Sequence, residues 1–357
     1  MLHRAGFINN KTQALILAIL LFTLTLLSSC QGSPSGVGDR RENTTVYSDE
    51  TVIDASGNEL NIPADPKNVT IASDYAVAVP FIVALGLSDR VVAVNSKSRF
   101  WADNVPALRK AGSVGRGTVD YEKLADYAPS VLIHRAGDPK TVSGAERIGI
   151  PVITISAEDY DGVMGTIELM GSYFGAEERA GEVEAYMKEG FSRIDGIVSK
   201  IPEGEKVKAI CLGSTPGRVA GEDMLQSWMI KKAGGIPVTT GINNNGNWAD
   251  IGAEKALALN PRLIFLTSST VLEYSVSDLE KDAVWSGLDA VSRGRLYQIP
   301  AKIDSWDLPG VACLIGTFYM LRSMYPDYYT EEELDAEIDG YYSFMFGRTF
   351  DREYLGY

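Results

Sequence analysis

Apolar residues recur at helical spacing in one long stretch near the middle of the chain. Within Ala176 to Ile201 they lie three or four residues apart, so that a helix would carry them along one side. Glu177 and Glu178 fall in the first turn, where negative charge interacts favourably with the helix dipole, and Pro202 follows the last turn. The pattern predicts one helix of about 26 residues, or roughly 39 Å. We interpret it as a helix that joins two lobes; an ordinary surface helix is the alternative.

Short apolar runs alternate with helical patterns on both sides of this stretch. Thr51 to Ile62 has two apolar segments around Ser-Gly-Asn, which predicts a small β-hairpin. The other predicted strands are Val69 to Ala72, Val91 to Val94, Val131 to His134, Val152 to Ile155, Val207 to Leu212, Leu263 to Leu266 and Leu296 to Ile299. The other predicted helices are Ala76 to Leu85, Ser143 to Ile148, Met224 to Ala233, Ala253 to Leu259, Val311 to Tyr325 and Glu331 to Phe346. Such alternation is typical of parallel sheets covered by helices on both faces.

Two segments of the chain repeat the same order of residues. Segments 122–133 and 254–265 each begin with Glu-Lys, carry a proline seven residues after the glutamate, and continue into an apolar strand. Gly-Ile-Pro-Val occurs at 149–152 and again at 235–238. Two matches of this kind indicate a duplicated architecture.

The repeat therefore predicts an α/β fold with two parallel-sheet lobes joined by a single long linker helix. We expect the N-terminal lobe at 49–175, the linker helix at 176–201 and the C-terminal lobe at 202–357. Ligands favour clefts between domains and the carboxyl ends of parallel strands, so the ligand is expected in the cleft between the lobes.

The N-terminus has the pattern of an export signal. Two basic residues precede an apolar run from Ala14 to Leu27, which continues into Leu-Ser-Ser-Cys at 27–30. Small residues before a cysteine resemble the bacterial lipoprotein signal, in which Cys30 would be lipidated; a plain N-terminal membrane anchor is the alternative. We expect a signal peptide at 1–29, a flexible tether at 30–48, and a mature protein held by lipid on the extracytoplasmic face of the cell membrane.

Charge and missing motifs exclude several classes of function. The formal net charge of −14 argues against nucleic-acid binding, which needs a basic face to neutralise phosphates. The sequence has no Walker A loop, no Gly-x-Ser-x-Gly elbow, no Cys-x-x-Cys and no His-Glu-x-x-His. Beyond the signal only His134 remains as a histidine, so we predict neither a bare transition-metal site nor catalytic residues nor a resident cofactor. Cys211 and Cys313 lie in apolar runs and are expected to be buried, and nothing in their spacing requires a disulfide.

Aromatic and basic side chains gather at the ends of predicted strands and in the loops that follow. Rings offer flat apolar contact, and guanidinium groups offer forked donors to carboxylates and other oxyanions. The set suits a bulky, partly anionic ligand such as a metal chelate; for any one member, core packing or plain solvent exposure is the alternative. The candidate ligand-binding residues are Tyr75, Arg99, Trp101, Arg116, His134, Arg135, Arg218, Trp248 and Trp306.

Several segments resemble one known family. They are 63–94, 120–133, 247–266, 284–300 and 341–347, which are similar to parts of the substrate-binding lipoproteins of ABC importers for iron-siderophores, haem and cobalamin. The resemblance covers nearly the whole mature chain. It implies two α/β lobes rigidly bridged by one helix, and a monomeric receptor, not an enzyme, that delivers its ligand to an ABC permease dimer with its ATPase.

The resemblance also implies docking residues and a range of cargo. Cobalamin binders of the family have a tryptophan in the second lobe and a permease-docking glutamate six residues later, a pattern that Trp248 and Glu254 fit. The first-lobe acid is expected after the strand that ends at His134, where Asp138 is the candidate. The turn at 304–309 resembles a branch that includes a molybdate or tungstate binder. The cargo stays open among a ferric siderophore, haem, a corrinoid and an oxyanion. A chelatase-like enzyme on a similar fold is disfavoured by the single mature histidine and the export signal.

Overall fold

The computed structural model describes residues 47–268 and 272–356. The predicted signal peptide, the predicted lipidation site Cys30 and all but the end of the predicted tether lie outside the described residues. In the part of the chain that is described, no helix is long and apolar enough to span a membrane.

The N-terminal lobe is a five-stranded parallel sheet with a small hairpin at its side. Its strands are β1 Tyr47–Ile53, β2 Glu59–Pro63, β3 Ile71–Ser73, β4 Val91–Val94, β5 Gly112–Ser113, β6 Val131–Arg135 and β7 Val152–Ile155. Its helices are α1 Ala78–Ala84, α2 Arg99–Asn104, α3 Tyr121–Tyr127, α4 Pro139–Glu146 and α5 Tyr160–Tyr173. The sheet order is β5-β4-β3-β6-β7, with every pair parallel, while β1 and β2 form the predicted antiparallel hairpin. The apolar strands β3, β6 and β7 are almost entirely buried, as expected for a sheet covered on both faces.

One buried carboxylate fastens the hairpin to the sheet. The Asp54 side chain accepts hydrogen bonds from the backbone N–H of Thr154 over 3.1 Å and from its hydroxyl over 2.7 Å. It also accepts from the backbone N–H groups of Ser56 and Asn58, which shape the turn. These hydrogen bonds hold the pKa of Asp54 below its usual range, although burial acts in the opposite direction. The hairpin is thus fixed to β7.

The C-terminal lobe is a second sheet with one reversed strand. Its strands are β8 Lys208–Leu212, β9 Arg218–Val219, β10 Ile236–Pro237, β11 Ala249–Asp250, β12 Leu263–Leu266 and β13 Leu296–Gln298. The order is β11-β9-β8-β12-β13, with β10 also on β8. The sequence predicted parallel pairing only, but β9 is antiparallel to both neighbours. The reason is the connection from β8 to β9, which has five residues and is too short for a parallel crossover.

Eight helices complete the described fold, of which α6 is the predicted linker. They are α6 Glu177–Val198, α7 Leu225–Lys232, α8 Ala253–Ala258, α9 Val276–Lys281, α10 Asp289–Ser292, α11 Cys313–Met324, α12 Glu331–Phe346 and α13 Arg352–Leu355. Helix α6 packs against α5 of the N-terminal lobe and against α7 and α11 of the C-terminal lobe. Its buried positions include the predicted stripe Ala180, Val183, Met187, Phe191 and Ile194. The fold of two α/β lobes joined by one long helix is confirmed; the lobe boundaries at 49–175 and 202–357 stay predictions.

A glycine allows α6 to approach the C-terminal lobe closely. A Cβ atom at Gly190 would lie 2.7 Å from the nearest methyl carbon of Leu314 on α11, so a larger residue would push the helices apart. One continuous apolar core then runs from the N-terminal lobe through α6 into the C-terminal lobe. Because the core is shared, the two lobes are not independent packing units.

A second connection between the lobes passes through Arg179 on α6. Its guanidinium donates to the carbonyl of Ala84 at the end of α1 and to the carbonyl of Phe344 on α12, both over 2.8 Å. The same group lies 4.2 Å from the centre of the Phe344 ring. Arg179 therefore ties one helix from each lobe to the linker.

The end of the chain returns to the N-terminal lobe; we call residues 344–356 the C-terminal brace. The ring of Trp101 on α2 stacks on Phe346, with 5.5 Å between centroids and 7° between planes. The Tyr354 hydroxyl donates to the Asn104 amide oxygen over 2.9 Å. The brace closes over α2, so the N-terminal lobe is held by α6 and by the chain end.

We expect these two connections to prevent wide hinge closure. Domain closure needs a few residues that absorb large backbone rotations, and a packed helix with a shared core offers none. Solution scattering with and without a bound ferric chelate should give the same radius of gyration within experimental error. A clear decrease on binding would show that the lobes close as hinged bodies.

Candidate functional site

Three side chains meet at the carboxyl edge of the N-terminal sheet. Tyr75 follows β3, Arg135 is the last residue of β6, and Glu158 follows β7. Parallel strands end at the same edge of a sheet, which brings these residues together from distant parts of the chain. The Tyr75 hydroxyl donates to Glu158 Oε1 over 3.4 Å, and the charge of Arg135 acts on both side chains.

The C-terminal lobe lies directly opposite this edge. The backbone carbonyl of Glu158 accepts a hydrogen bond from the N–H of Leu225, at the start of α7, over 3.0 Å. A Cβ atom placed on Gly246 would lie 3.9 Å from Glu158 Cβ, so the loop 243–247 also faces the N-terminal sheet. We call this junction of strand ends and loop the cleft.

Trp248 lies beside a strand end of the C-terminal lobe. Its ring packs on Gly213, just after β8, where a Cβ atom would lie 2.8 Å from the ring; only glycine leaves that space. The Asn244 amide donates to the Trp248 carbonyl over 2.9 Å and fixes the loop before it. Arg218, at the start of β9, is half-buried beside the same strand end. Trp248 is half-buried as well, so part of its ring stays accessible.

The surroundings of the N-terminal edge shift the pKa values of two of its side chains. The Glu158 side chain reaches water, yet desolvation by the surrounding protein raises the pKa of its carboxyl group, and Arg135 opposes that shift. Desolvation and the nearby Glu158 carboxylate also raise the pKa of the Tyr75 hydroxyl, which therefore remains a hydrogen-bond donor at neutral pH. The edge thus combines a donor, a cation and a partly desolvated carboxylate.

His134 lies beneath this edge and is held between two carboxylates. Nδ1 is 2.8 Å from Asp74 Oδ1, and Nε2 is 3.4 Å from Asp138 Oδ2. The ring is buried, so its neighbours here are protein groups. Asp138 also caps α4, because its carboxylate accepts from the backbone N–H of Thr141 over 3.2 Å and from its hydroxyl over 2.9 Å. These hydrogen bonds lower the pKa of Asp138, and its carboxylate is already engaged within the lobe.

The structure places Trp101 and Trp306 in the core instead of at the cleft. The sequence predicted Trp101 after a strand and Trp306 in a loop, with both rings toward a ligand. Trp101 instead lies on α2 beneath the C-terminal brace, and Trp306 is 1% exposed and donates from Nε1 to the Tyr342 hydroxyl over 2.9 Å. Both rings are covered by aromatic residues of α12. Of the predicted arginines outside the cleft junction, Arg116 is exposed in the turn after β5; for Arg99 only the backbone position at the start of α2 is described.

The repeated Glu-Lys segments form the same element in both lobes. Glu122 lies in the first turn of α3 and Glu254 in the first turn of α8, and both are exposed. The two segments then reach left-handed residues just before their prolines, Ala128 with φ 43° and Asn260 with φ 46°. Each segment continues into a strand that pairs in parallel with the first strand of its sheet along the chain. These pairs are β6 with β3 and β12 with β8.

The repeat places Glu122 at the same position as Glu254. Docking through Asp138 and Glu254 stays a prediction, and Glu122 is a further exposed acid that the sequence analysis did not single out. Within the described residues, no group of three or more His, Cys, Asp or Glu side chains is placed to hold a metal ion.

Comparisons with known proteins agree with this architecture. The family described as periplasmic binding protein matches residues 71–303. The ABC transporter substrate-binding lipoprotein YvrC of Bacillus subtilis strain 168 is 26% identical over 331 residues, covering 90% of this chain and 100% of the relative. The iron(3+)-hydroxamate-binding protein YxeB of the same organism is 21% identical over 308 residues, covering 80% and 89%. The molybdate-bound periplasmic protein MolA of Haemophilus influenzae superposes with a TM-score of 0.74 at 17% identity, covering 85% of this chain and 99% of that one.

Proposed function

Because the chain belongs to the periplasmic binding protein family, we propose that it captures a ferric siderophore or a related metal chelate between its lobes and delivers it to an ABC permease. Binding proteins of this family act in ABC transport with a permease and an ATPase. The observation that carries the choice of ligand is the cleft itself. Tyr75 and Arg135 lie at strand ends of the N-terminal lobe, and Arg218 and Trp248 lie at a strand end of the C-terminal lobe, on the two sides of the junction between Glu158 and the loop 243–247.

The chemistry of these four side chains suits a chelate. The Trp248 ring can cover the apolar body of a ligand, and guanidinium groups can bind carboxylate or hydroxamate oxygens. The Tyr75 hydroxyl adds a donor that keeps its proton at neutral pH. We leave Trp101, Trp306 and His134 out of the proposed contact set, because all three are buried among protein groups. Arg116 is included as an outer contact from its exposed turn.

The ferric hydroxamate class is our first choice among chelates. A relative that spans most of this chain is named as an iron(3+)-hydroxamate-binding protein. Haem and cobalamin remain the alternatives that the same contact set could accept. We propose further that Cys30 carries the lipid anchor, in keeping with the lipoprotein description of the other relative.

We also propose that the permease recognises one glutamate from each lobe, Glu122 and Glu254. They occupy equivalent helix starts, are exposed, and form no ion pair with any described residue. A two-lobed protein that meets a permease dimer presents similar surfaces to both subunits, and equivalent acids in the two lobes match that geometry. Asp138 suits this role less well, since its carboxylate caps α4 and faces His134.

The experiment that tests ligand binding uses visible absorbance and tryptophan quenching. We expect the purified protein to retain at least one of ferric hydroxamates, haem and cobalamin. Trp248→Ala should weaken that binding by about 1–3 kcal/mol, or roughly 5- to 150-fold, because a desolvated ring contact is lost. The matched control is Trp228→Ala, since Trp228 is also half-buried but stacks on Tyr160 at 4.8 Å.

Two results would count against the proposal. If no chelate is retained, the cargo class is wrong. If Trp248→Ala binds as tightly as the original protein, Trp248 does not contact the ligand, whatever the cargo.

A further inference from the structure

Glu158 lies at the cleft but is not one of the proposed ligand contacts. We propose that Glu158 selects chelates that carry a cationic group, such as a primary ammonium, beside the anionic or neutral metal centre. This inference rests on the proposed function and specifies the ligand more narrowly.

The first argument is the lack of a cationic partner for the Glu158 carboxylate within the described residues. Among them, Oε1 accepts one long hydrogen bond of 3.4 Å from Tyr75, and no basic side chain forms an ion pair with either oxygen. Arg135 attracts the carboxylate from a greater distance. The carboxylate is exposed and has no counter-ion among the described residues, so a cationic group of a ligand could pair with it. Such groups in clefts are frequent at functional sites, because a ligand supplies the missing charge.

The second argument is the contrast with neighbouring acids. Asp159, the next residue, accepts from the backbone N–H of Gly162 over 2.7 Å and caps α5. Asp223, across the cleft, accepts from the backbone N–H of Gly246. Asp74 faces His134. Each of these carboxylates stabilises a local structure, whereas the Glu158 carboxylate accepts a hydrogen bond only from the Tyr75 hydroxyl in the part of the chain that is described.

The third argument excludes a purely structural role in joining the lobes. The hydrogen bond that crosses the cleft here uses the backbone carbonyl of Glu158 and the N–H of Leu225. Any residue at this position could make that bond. The side chain is therefore not needed for that hydrogen bond between lobes, and its exposed carboxylate is available to a ligand beside Tyr75 and Gly246.

The arrangement predicts the polarity of the bound ligand. Oxygen atoms of the chelate would face Arg135, and an ammonium group would face Glu158, with the Tyr75 hydroxyl beside both. A chelate without a cation would leave the carboxylate without a counter-ion and would displace its water. The protein should therefore distinguish two chelates that differ only in that one charge.

The test compares the ferric complex of desferrioxamine B, which has a free terminal ammonium, with the ferric complex of its N-acetyl derivative, which has none. Tryptophan quenching on the detergent-solubilised full chain gives both dissociation constants. We expect a preference for the ammonium form of about tenfold or more, and a reduction to about twofold or less in Glu158→Gln. Affinity for the acetylated form should not decrease in that variant, because glutamine removes the unpaired charge that this form would desolvate. The control is Glu168→Gln, an exposed acid on α5 with the same change of charge, which should keep the preference.

The outcomes separate this inference from the proposed function. Equal binding of the two complexes by the original protein, or an unchanged preference in Glu158→Gln, overturns the role of Glu158 while chelate binding stands. If neither complex binds, the inference is also overturned, and retention of haem or cobalamin then decides whether chelate capture itself survives.

Discussion

Glu122→Arg combined with Glu254→Arg is expected to abolish uptake through the cognate permease while leaving chelate affinity and thermal stability nearly unchanged. Both side chains are exposed, and exposed charges contribute little to folding. At an interface the same charges determine register and association rate, and placing like charges opposite each other costs several kcal/mol. Each single reversal should therefore reduce uptake at least about tenfold, and the double reversal more.

The measurement is uptake of a radiolabelled chelate by cells that express the permease, with binding measured separately. The matched control is Glu178→Arg, because Glu178 is an exposed first-turn acid on α6 and lies outside both repeated segments. Asp138→Arg serves as a second comparison. Loss of its cap should cost about 1 kcal/mol of stability, which Glu122→Arg should not. Normal uptake by the double variant would remove both glutamates from the docking surface.

Asp304→Asn is expected to stabilise the protein at alkaline pH and to have little effect in acid. Asp304 is 3% exposed and accepts a hydrogen bond from the Tyr341 hydroxyl over 3.1 Å. Burial raises the pKa of its carboxyl group from 3.8 to about 7, although that hydrogen bond acts in the opposite direction. Between these values the folded state holds a proton that the unfolded chain has released. The contribution of Asp304 to the free energy of unfolding therefore falls as pH rises through this window and is constant above it.

The size of the stability change follows from the difference between the pKa of Asp304 in the unfolded and folded states. At 1.36 kcal/mol per pKa unit, the charged carboxylate costs on the order of 4 kcal/mol at pH 8, and asparagine removes that cost while still accepting from Tyr341. Urea unfolding at pH 4, 6 and 8 should show a difference between the two proteins that grows with pH. Asp126→Asn, at an exposed position on α3, should show no such trend. A difference that is the same at all three pH values would mean that Asp304 does not titrate in this range.

The linker helix and the buried strands could be predicted because their signals are local. Helix α6 needs only its stripe of apolar residues, and β6 and β7 read as continuous apolar runs. The observed ends of helices and strands differ from the predicted ends by a few residues, because capping and the last helical turn depend on contacts with neighbouring elements. The reversed β9 was missed because two residues are too short to give a pattern.

The cleft could be predicted only in part, because burial at strand ends depends on distant segments. Trp101 and Trp248 are both aromatic residues predicted near strand ends. In the structure α12 covers the Trp101 ring, whereas Trp248 is only half-buried. Glu158 accepts a hydrogen bond from Tyr75, which is 83 residues away in sequence, and the residues next to Glu158 in the sequence do not predict that contact. The equivalence of Glu122 and Glu254 is different, because it can be read from the repeated segments alone.

The C-terminal brace also has a consequence for deletion variants. The hydrogen bond from Tyr354 to Asn104 joins residues that are 250 positions apart, so residues 344–356 cover part of the first lobe. A variant that lacks these residues loses the Phe346 ring that stacks on Trp101. It should therefore expose an aromatic surface on the first lobe, and exposed apolar patches of this kind promote aggregation.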